Sequence, residues 1–323
     1  GMNVARLISF AAGFPVEVPA ITVNRFCCSG SQTIAMASDS IRAGNGDIVI
    51  AGGVESMSMV AMGGNKPIAY PGLMEMMPNA YAAMGTTAEV VARRFNITRE
   101  MQDEFAANSH AKAVAAVESG KFADEIVPVE TRMRKNGAWH DITFDTDEGP
   151  RADTTVEGLA KLRPVFDPKG TVTAGNASQI NDGAAAVVLM EAGVAEKKGL
   201  APIARVRNWA VAGVDPDIMG IGPVKAVPKL LERSGVSLDD IDVVEINEAF
   251  ASQSVYCMQE LGLDPEKTNL NGAAIATGHP LGATGAVLTV KLLGELKRRN
   301  GKLGIVTMCI GGGMGFAYLI EML

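Results

Sequence analysis

The apolar residues of this chain fall into short runs separated by glycine-rich breaks, and the spacing within each run predicts its element. Ala20-Ile21-Thr22-Val23 is a short β-like run. From Ser31 to Ala43 the residues Ile34, Ala35, Ala37 and Ile41 recur at helical spacing without a proline, and Gly44 and Gly46 end the segment. Asp47-Ile48-Val49-Ile50-Ala51 then reads as a buried strand closed by Gly52-Gly53. Strand, turn, helix, glycine break and buried strand make an α/β unit. The same order returns near the C-terminus. Ala273-Ala274-Ile275-Ala276 leads into Gly278-His279-Pro280, a helix is predicted from about Thr284 to Lys297, Gly301 breaks it, and Leu303–Met308 is a strand reaching Cys309. The separation of Gly30 and Gly46 equals that of Gly285 and Gly301, so two helices of equal length between similar strands suggest an internal duplication.

Between these units the pattern changes. Met57, Met59, Met62, Met74, Met76, Met77 and Met84 crowd one stretch among prolines and glycines. Helices are predicted at Thr86–Phe95 and Thr98–Ser119, followed by a mixed polar segment through Asp153. Strand character returns at 184–190, after Asn181-Asp182-Gly183. The expected organisation is therefore a first half made of residues 1–56 with 181–200, an inserted loop domain over 57–180, and a second half over 201–323. In that second half the stretch 213–223 reads as a loop, Val243–Ile246 as a strand, and the residues after Asn247-Glu248-Ala249-Phe250 as a helix to Leu261. Methionine suits a pocket for flexible alkyl chains and equally suits an irregular core.

Composition narrows the function classes. With 323 residues, 47% hydrophobic and 20% charged, the chain has the make-up of a globular protein with a sizeable core. A net charge of −7 argues against a nucleic-acid or anionic-membrane binder, both of which need a basic footprint. No apolar run reaches the roughly 20 residues of a membrane span. Four cysteines without zinc spacing or a secretory leader read as reduced thiols, so a cytoplasmic location is expected.

Chemistry concentrates at four element boundaries. Cys27 sits at a predicted helix N-terminus, where unpaired N–H groups favour thiolate. His279, held between glycine and proline, is the one histidine at an element boundary and can take a thiol proton. His110 and His140 have no second ligand at metal spacing, and Cys28 reads as a small buried hydrophobe. Gly311-Gly312-Gly313 follows a strand with no helix after it, which excludes a dinucleotide or phosphate loop but lets backbone N–H groups approach a reacting carbonyl.

At these residues the chain resembles the thiolases, the acetyl-CoA acyltransferase family. The matching segments are Asn-Arg-Phe-Cys-Cys-Ser-Gly at 24–30, Gly-Gly-Val-Glu-Ser-Met-Ser at 52–58, Met-Gly-Thr-Thr-Ala-Glu at 84–89 and Thr-Val-Thr-Ala-Gly-Asn-Ala-Ser at 171–178. Further matches are Asn-Asp-Gly-Ala-Ala-Ala at 181–186, Asn-Glu-Ala-Phe-Ala at 247–251, Gly-His-Pro-Leu-Gly-Ala-Thr-Gly at 278–285 and Cys-Ile-Gly-Gly-Gly-Met-Gly at 309–315. They cover essentially the whole chain in family order. The resemblance implies an α/β fold of duplicated βαβαβ halves, layered α-β-α-β-α, with a long loop-domain insertion in the first half. It also implies roles. Cys27 is the acylated nucleophile, activated by His279, and Cys309 is the acid/base at the substrate α-carbon. Asn247 holds a water that forms, with His279, an oxyanion hole for the thioester oxygen, while the N–H groups of Cys27 and Gly311 form a second for the tetrahedral intermediate. Ser178, Ala249, Phe250 and Met84 match positions near the pantetheine arm, and Arg151 is a candidate for the nucleotide end of coenzyme A. No bound cofactor or metal is implied; coenzyme A is a co-substrate and acyl-CoA the substrate. A homodimer or homotetramer is implied as well.

Within the family, Ala83, the Arg25-Phe26 pair and Gln179 resemble the degradative members that cleave 3-ketoacyl-CoA of broader chain length, with a biosynthetic acetoacetyl-CoA thiolase as the alternative. Only 26 residues precede Cys27, where the family has a longer segment. A βαβ unit of about 30 residues is expected to be missing. The rival reading is therefore a catalytically impaired fragment that binds acyl-CoA or dimerises without turnover.

Overall fold

The computed structural model describes residues 2–323. Helix α1 (Val4–Ala11) opens the chain, and a 3-10 turn over Phe26–Cys28 runs directly into α2 (Ser29–Arg42) and then strand β1 (Ile48–Ser56). The middle of the chain holds α3 (Pro71–Met76), α4 (Met84–Arg94), α5 (Arg99–Glu118), a hairpin of β2 (Val129–Lys135) and β3 (Ala138–Phe144), and the single turn α6 (Val156–Leu159). Strand β4 (Asp182–Met190) and α7 (Ala192–Lys197) follow. The remainder is β5 (Ala204–Gly213), α8 (Gly222–Ser234), β6 (Val243–Ile246), α9 (Ala251–Leu261), α10 (Ala274–Thr277), α11 (Leu281–Arg299), β7 (Leu303–Ile310) and β8 (Met314–Met322).

The larger sheet has the order β5-β8-β7-β6, with β6 and β7 parallel and the other pairs antiparallel. Its inner strands β7 and β8 are buried and largely apolar along almost their whole length because both faces are covered. Val243, Val306, Met308, Phe316, Tyr318 and Ile320 point to one face and pack with Leu288, Leu292 and Leu296 of α11 and Ile34 of α2. Val244, Ile305, Ala317 and Leu319 point to the other, against Val227 and Leu230 of α8. Beyond the α2–α11 pair lies an antiparallel ladder of β1 and β4, in register from Ile48 opposite Met190 to Ser56 opposite Asp182. The layers thus run helix, sheet, helix pair, sheet. The outward face of the β1–β4 ladder leaves Ile48, Ile50, Val54 and Val188 exposed.

Helices α2 and α11 cross at glycines. A Cβ on Gly30 would lie 2.7 Å from the Ala286 nitrogen, and one on Gly285 would strike the Ser31 nitrogen. This reciprocal contact brings the starts of the two helices, and hence the turns before them, to one seam.

Several expectations change in detail. The helices have 14 and 19 residues, not equal lengths. Ala20–Val23 joins no strand, and Ala274–Thr277 is a helical turn. The 213–223 stretch contains a 3-10 segment (Pro216–Ile221) and the first residues of α8. The β2–β3 hairpin is exposed on both faces and carries no alternating apolar signal, so its strands were not legible in the sequence.

Candidate active site

The turn before α2 is fixed by its own side chains. The Phe26 N–H donates to Asn24 Oδ1 (2.8 Å), the Arg25 N–H to Ser29 Oγ (3.0 Å), and the Ser29 hydroxyl to the Phe26 carbonyl (2.7 Å). Phe26 is held at φ +47°, a region an aromatic residue seldom adopts, and Cys27 follows at the start of the helical segment. Cys27 is buried, and its thiol is approached by the Gly311 N–H and by its own N–H. Burial outweighs both donors and pushes the thiol up to about 11. The helix-end argument for a thiolate is therefore corrected: desolvation wins, and the resting group is a neutral thiol.

His279 lies between Gly278, at φ +92°, and Pro280. Its N–H donates to the Gln179 carbonyl (3.1 Å), and Nδ1 is 2.6 Å from Thr284 Oγ1. The Thr284 hydroxyl donates to the Pro280 carbonyl (2.9 Å), so towards His279 it accepts, which assigns the imidazole proton to Nδ1. That leaves a lone pair on Nε2, 3.3 Å from the Asn247 amide nitrogen. Burial lowers the imidazole pKa to about 4, so it is a neutral base. The Oδ1 of Asn247 is buried and has no protein partner. Glu55, at the end of β1, accepts the Gly282 N–H (3.0 Å) in the first turn of α11 and so ties the first half to the histidine turn.

Cys309 is fully buried near the end of β7, and its thiol is pushed well above the ordinary cysteine range by burial first and by the neighbouring Cys27 next. It packs with Ala88, Val172, Met219, Ala249, Phe250 and Met84. Gly311 faces Met84 Sδ and the Phe26 ring, at 3.5 and 3.8 Å from where a Cβ would stand.

The segment 176–179 stitches the turns together. The Ala251 N–H donates to the Asn176 carbonyl (2.9 Å), Ala177 bridges Phe250, and the Ser178 N–H donates to the Ala249 carbonyl (3.0 Å). Gln179 Nε2 donates to the Gly149 and Ala276 carbonyls (3.0 and 3.1 Å). Arg151 lies on the adjoining loop with its side chain exposed and its N–H donating to His110 Nδ1 (3.1 Å). The structure thus brings Cys27, Cys309 and Gly311 to one locus and Asn247 against His279, with Ser178, Ala249, Phe250 and Met84 around them and Arg151 at the periphery. Thr284 and Met219 were not singled out from the sequence. Thr284 had a signal, a polar residue five positions after His279 in an apolar helix start, whereas Met219 had none.

Among the described residues no group of three or more His, Cys, Asp or Glu side chains could hold a metal ion, and no helix is long and apolar enough to cross a membrane.

Residues 1–193 match the family model for the thiolase N-terminal domain, and residues 200–322 match that for the thiolase C-terminal domain. This chain belongs to the thiolase family. It is 52% identical over 327 residues to the 3-ketoacyl-CoA thiolase of Bacillus subtilis, covering 100% of this chain and 84% of that one. The acetyl-CoA acetyltransferase of Pseudomonas aeruginosa is 47% identical over 335 residues, covering 98% of this chain and 83% of that one. The crystal structure of human mitochondrial 3-ketoacyl-CoA thiolase superposes with a TM-score of 0.91 at 40% identity, over 100% of this chain and 84% of that one. The thiolase fold is therefore established for this chain, and the four turns carrying Cys27, Asn247, His279 and Cys309 lie within the matched domains.

Proposed function

We propose that this thiolase cleaves 3-ketoacyl-CoA with coenzyme A, releasing acetyl-CoA and a shortened acyl-CoA, and runs the Claisen condensation in reverse. The observation that carries the reading is the meeting of the buried thiols of Cys27 and Cys309 beside Gly311, together with a neutral His279 whose Nε2 lone pair is set against Asn247. The Cys27 proton passes to His279, and the thiolate attacks the 3-keto carbon. Backbone N–H groups of Cys27 and Gly311 stabilise the resulting alkoxide; one such donor is worth roughly 2.7–4 kcal/mol. Collapse breaks the C2–C3 bond. The departing acetyl-CoA enolate, its thioester oxygen held at Asn247 and His279, takes the Cys309 proton. In the second half Cys309 takes the proton of coenzyme A, the coenzyme thiolate attacks the acyl-Cys27 thioester, and Cys27 leaves and recovers its proton from His279.

Ser178, Ala249, Phe250 and Met84 line the pantetheine approach in this reading, and Arg151 meets the nucleotide end. Ala83, Arg25-Phe26 and Gln179 favour degradative thiolysis of longer chains over acetoacetyl-CoA synthesis. Mixing the enzyme with acetyl-CoA and measuring intact mass tests the acyl-enzyme. An acetyl adduct in the parent and none in Cys27→Ala supports it; a folded parent that takes up no acetyl group leaves the non-catalytic binder as the better reading. Turnover of 3-ketoacyl-CoA of graded chain length then separates the degradative from the biosynthetic assignment.

A further inference from the structure

We propose that Glu248, the residue after Asn247, is a positioning residue that sets the separation of Asn247 and His279. This deepens the reading above and rests on the pair binding the thioester oxygen.

Glu248 is 1% exposed and its carboxylate is fully engaged. Oε2 accepts from the Ser109 hydroxyl (2.6 Å) and from the Ile275 N–H (3.3 Å), and Oε1 accepts from Asn269 Nδ2 (2.8 Å). The Ile275 N–H lies in the first turn of α10, the four-residue turn that ends at Gly278 and delivers His279. Ser109 also accepts the Ala273 N–H just before that turn (3.3 Å), so the Ala273 and Ile275 donors at the start of α10 both end on this cluster. Asn269 clamps the other side: its Oδ1 accepts the Ile246 N–H and its Nδ2 donates to the Ile246 carbonyl, both at 2.9 Å, at the end of β6. One carboxylate therefore ties the strand end that presents Asn247 to the helical turn that presents His279.

The two catalytic side chains have no covalent link shorter than the chain from 247 to 279, and Asn247 and His279 are 3.3 Å apart. A shift of either segment opens that gap. Replacing Glu248 by glutamine keeps the volume but turns one acceptor into a donor facing the Ser109, Ile275 or Asn269 donors. The turn and α10 then move apart. The oxyanion hole at Cys27 and Gly311 belongs to other elements and is left in place.

Two partial reactions separate these sites. Deuterium exchange into the methyl group of acetyl-CoA requires the enolate and reads the Asn247–His279 pair. Exchange of labelled coenzyme A into acetyl-CoA reads acyl transfer at Cys27, which uses His279 as a base but does not use Asn247 or the spacing of the pair. For Glu248→Gln, methyl exchange is expected to fall by about tenfold or more relative to coenzyme A exchange, given the sensitivity of preorganised donors to misplacement. Ser109→Ala, which removes one arm of the clamp, is expected to lower the same ratio by less and covers the case in which Glu248→Gln does not fold. An unchanged ratio in the folded variant, whether both rates fall together or neither does, overturns the proposal. Asn247→Ala is measured alongside: if it leaves methyl exchange at the parent rate, the thioester-oxygen reading itself fails, whereas a slow Asn247→Ala with an unchanged Glu248→Gln ratio refutes only the positioning role.

Discussion

Cys27 rests as a thiol and His279 as a neutral imidazole because burial acts on them in opposite directions, raising one and lowering the other. The proton transfer that makes the nucleophile is therefore uphill until substrate is present. The signs of the pH dependence follow. The folded His279 titrates near 4 against 6.5 in its unperturbed state, so below about 6.5 the unfolded chain binds a proton that the folded chain does not, and stability is lost as pH falls from 6.5 towards 4. For Cys27, raised from 9.0 to about 11, the folded state holds the proton longer, and stability is lost as pH rises from 9 towards 11. In the free enzyme, iodoacetamide labelling of Cys27, followed by peptide mass spectrometry, is expected to rise about tenfold per pH unit through neutrality, as thiolate fraction does below a thiol pKa. A plateau already reached at neutral pH would show a resting thiolate and contradict this electrostatic balance.

At the scale of elements, the contact between α2 and α11 decides whether the two helix-start turns meet. Gly285 has no room for a methyl group, since its Cβ would meet the Ser31 backbone nitrogen. In an exposed helix Gly→Ala gains roughly 1 kcal/mol. Gly285→Ala is expected to reverse that sign and cost about 1–3 kcal/mol through overpacking. The urea midpoint of the variant measures it, and a midpoint at or above that of the parent would mean that the helices separate without penalty. These helices were legible in outline from small residues and glycine breaks. Their unequal lengths were not, because α11 already begins at Leu281, directly after the His279-Pro280 turn, and runs on to a left-handed Asn300 at φ +53°. The β6 and β7 strands were legible because their runs are largely apolar; β8 was not assigned, although Phe316–Ile320 is equally apolar, and the fold seats it between β5 and β7.

Across the whole molecule, the site depends on a segment that comes from neither sheet. Residues 171–179 are anchored at one end by Glu89, whose carboxylate accepts the Thr171 N–H (2.9 Å) and the Val172 N–H (2.8 Å). At the other end they bond to the turns carrying Asn247 and His279. Glu89→Ala leaves two buried N–H groups without an acceptor, a loss of order 1–3 kcal/mol each. It is expected to lower kcat by about tenfold and to speed amide hydrogen exchange over 171–179 while β5–β8 stays protected, as in local opening. Equal deprotection of the sheet, or an unchanged kcat with a loosened segment, would count against this route of support.

The amino-acid sequence by itself carried the resemblance to the thiolase family and singled out Cys27, Asn247, His279 and Cys309 as candidates, because each lies at an element boundary, with glycine or proline constraining the backbone beside His279 and shortly after Cys27 and Cys309. The protonation states could not be read there. The helix start at Cys27 argued for a thiolate, and the tertiary structure made it a thiol, because desolvation depends on what the fold places around a group and not on its neighbours in the chain. The tautomer of His279 and the clamp at Glu248 were likewise decided in three dimensions. Both rest on hydrogen bonds whose partners are chosen by packing: Thr284 across the first turn of α11, and Ser109, Asn269 and Ile275 from segments up to 139 residues away.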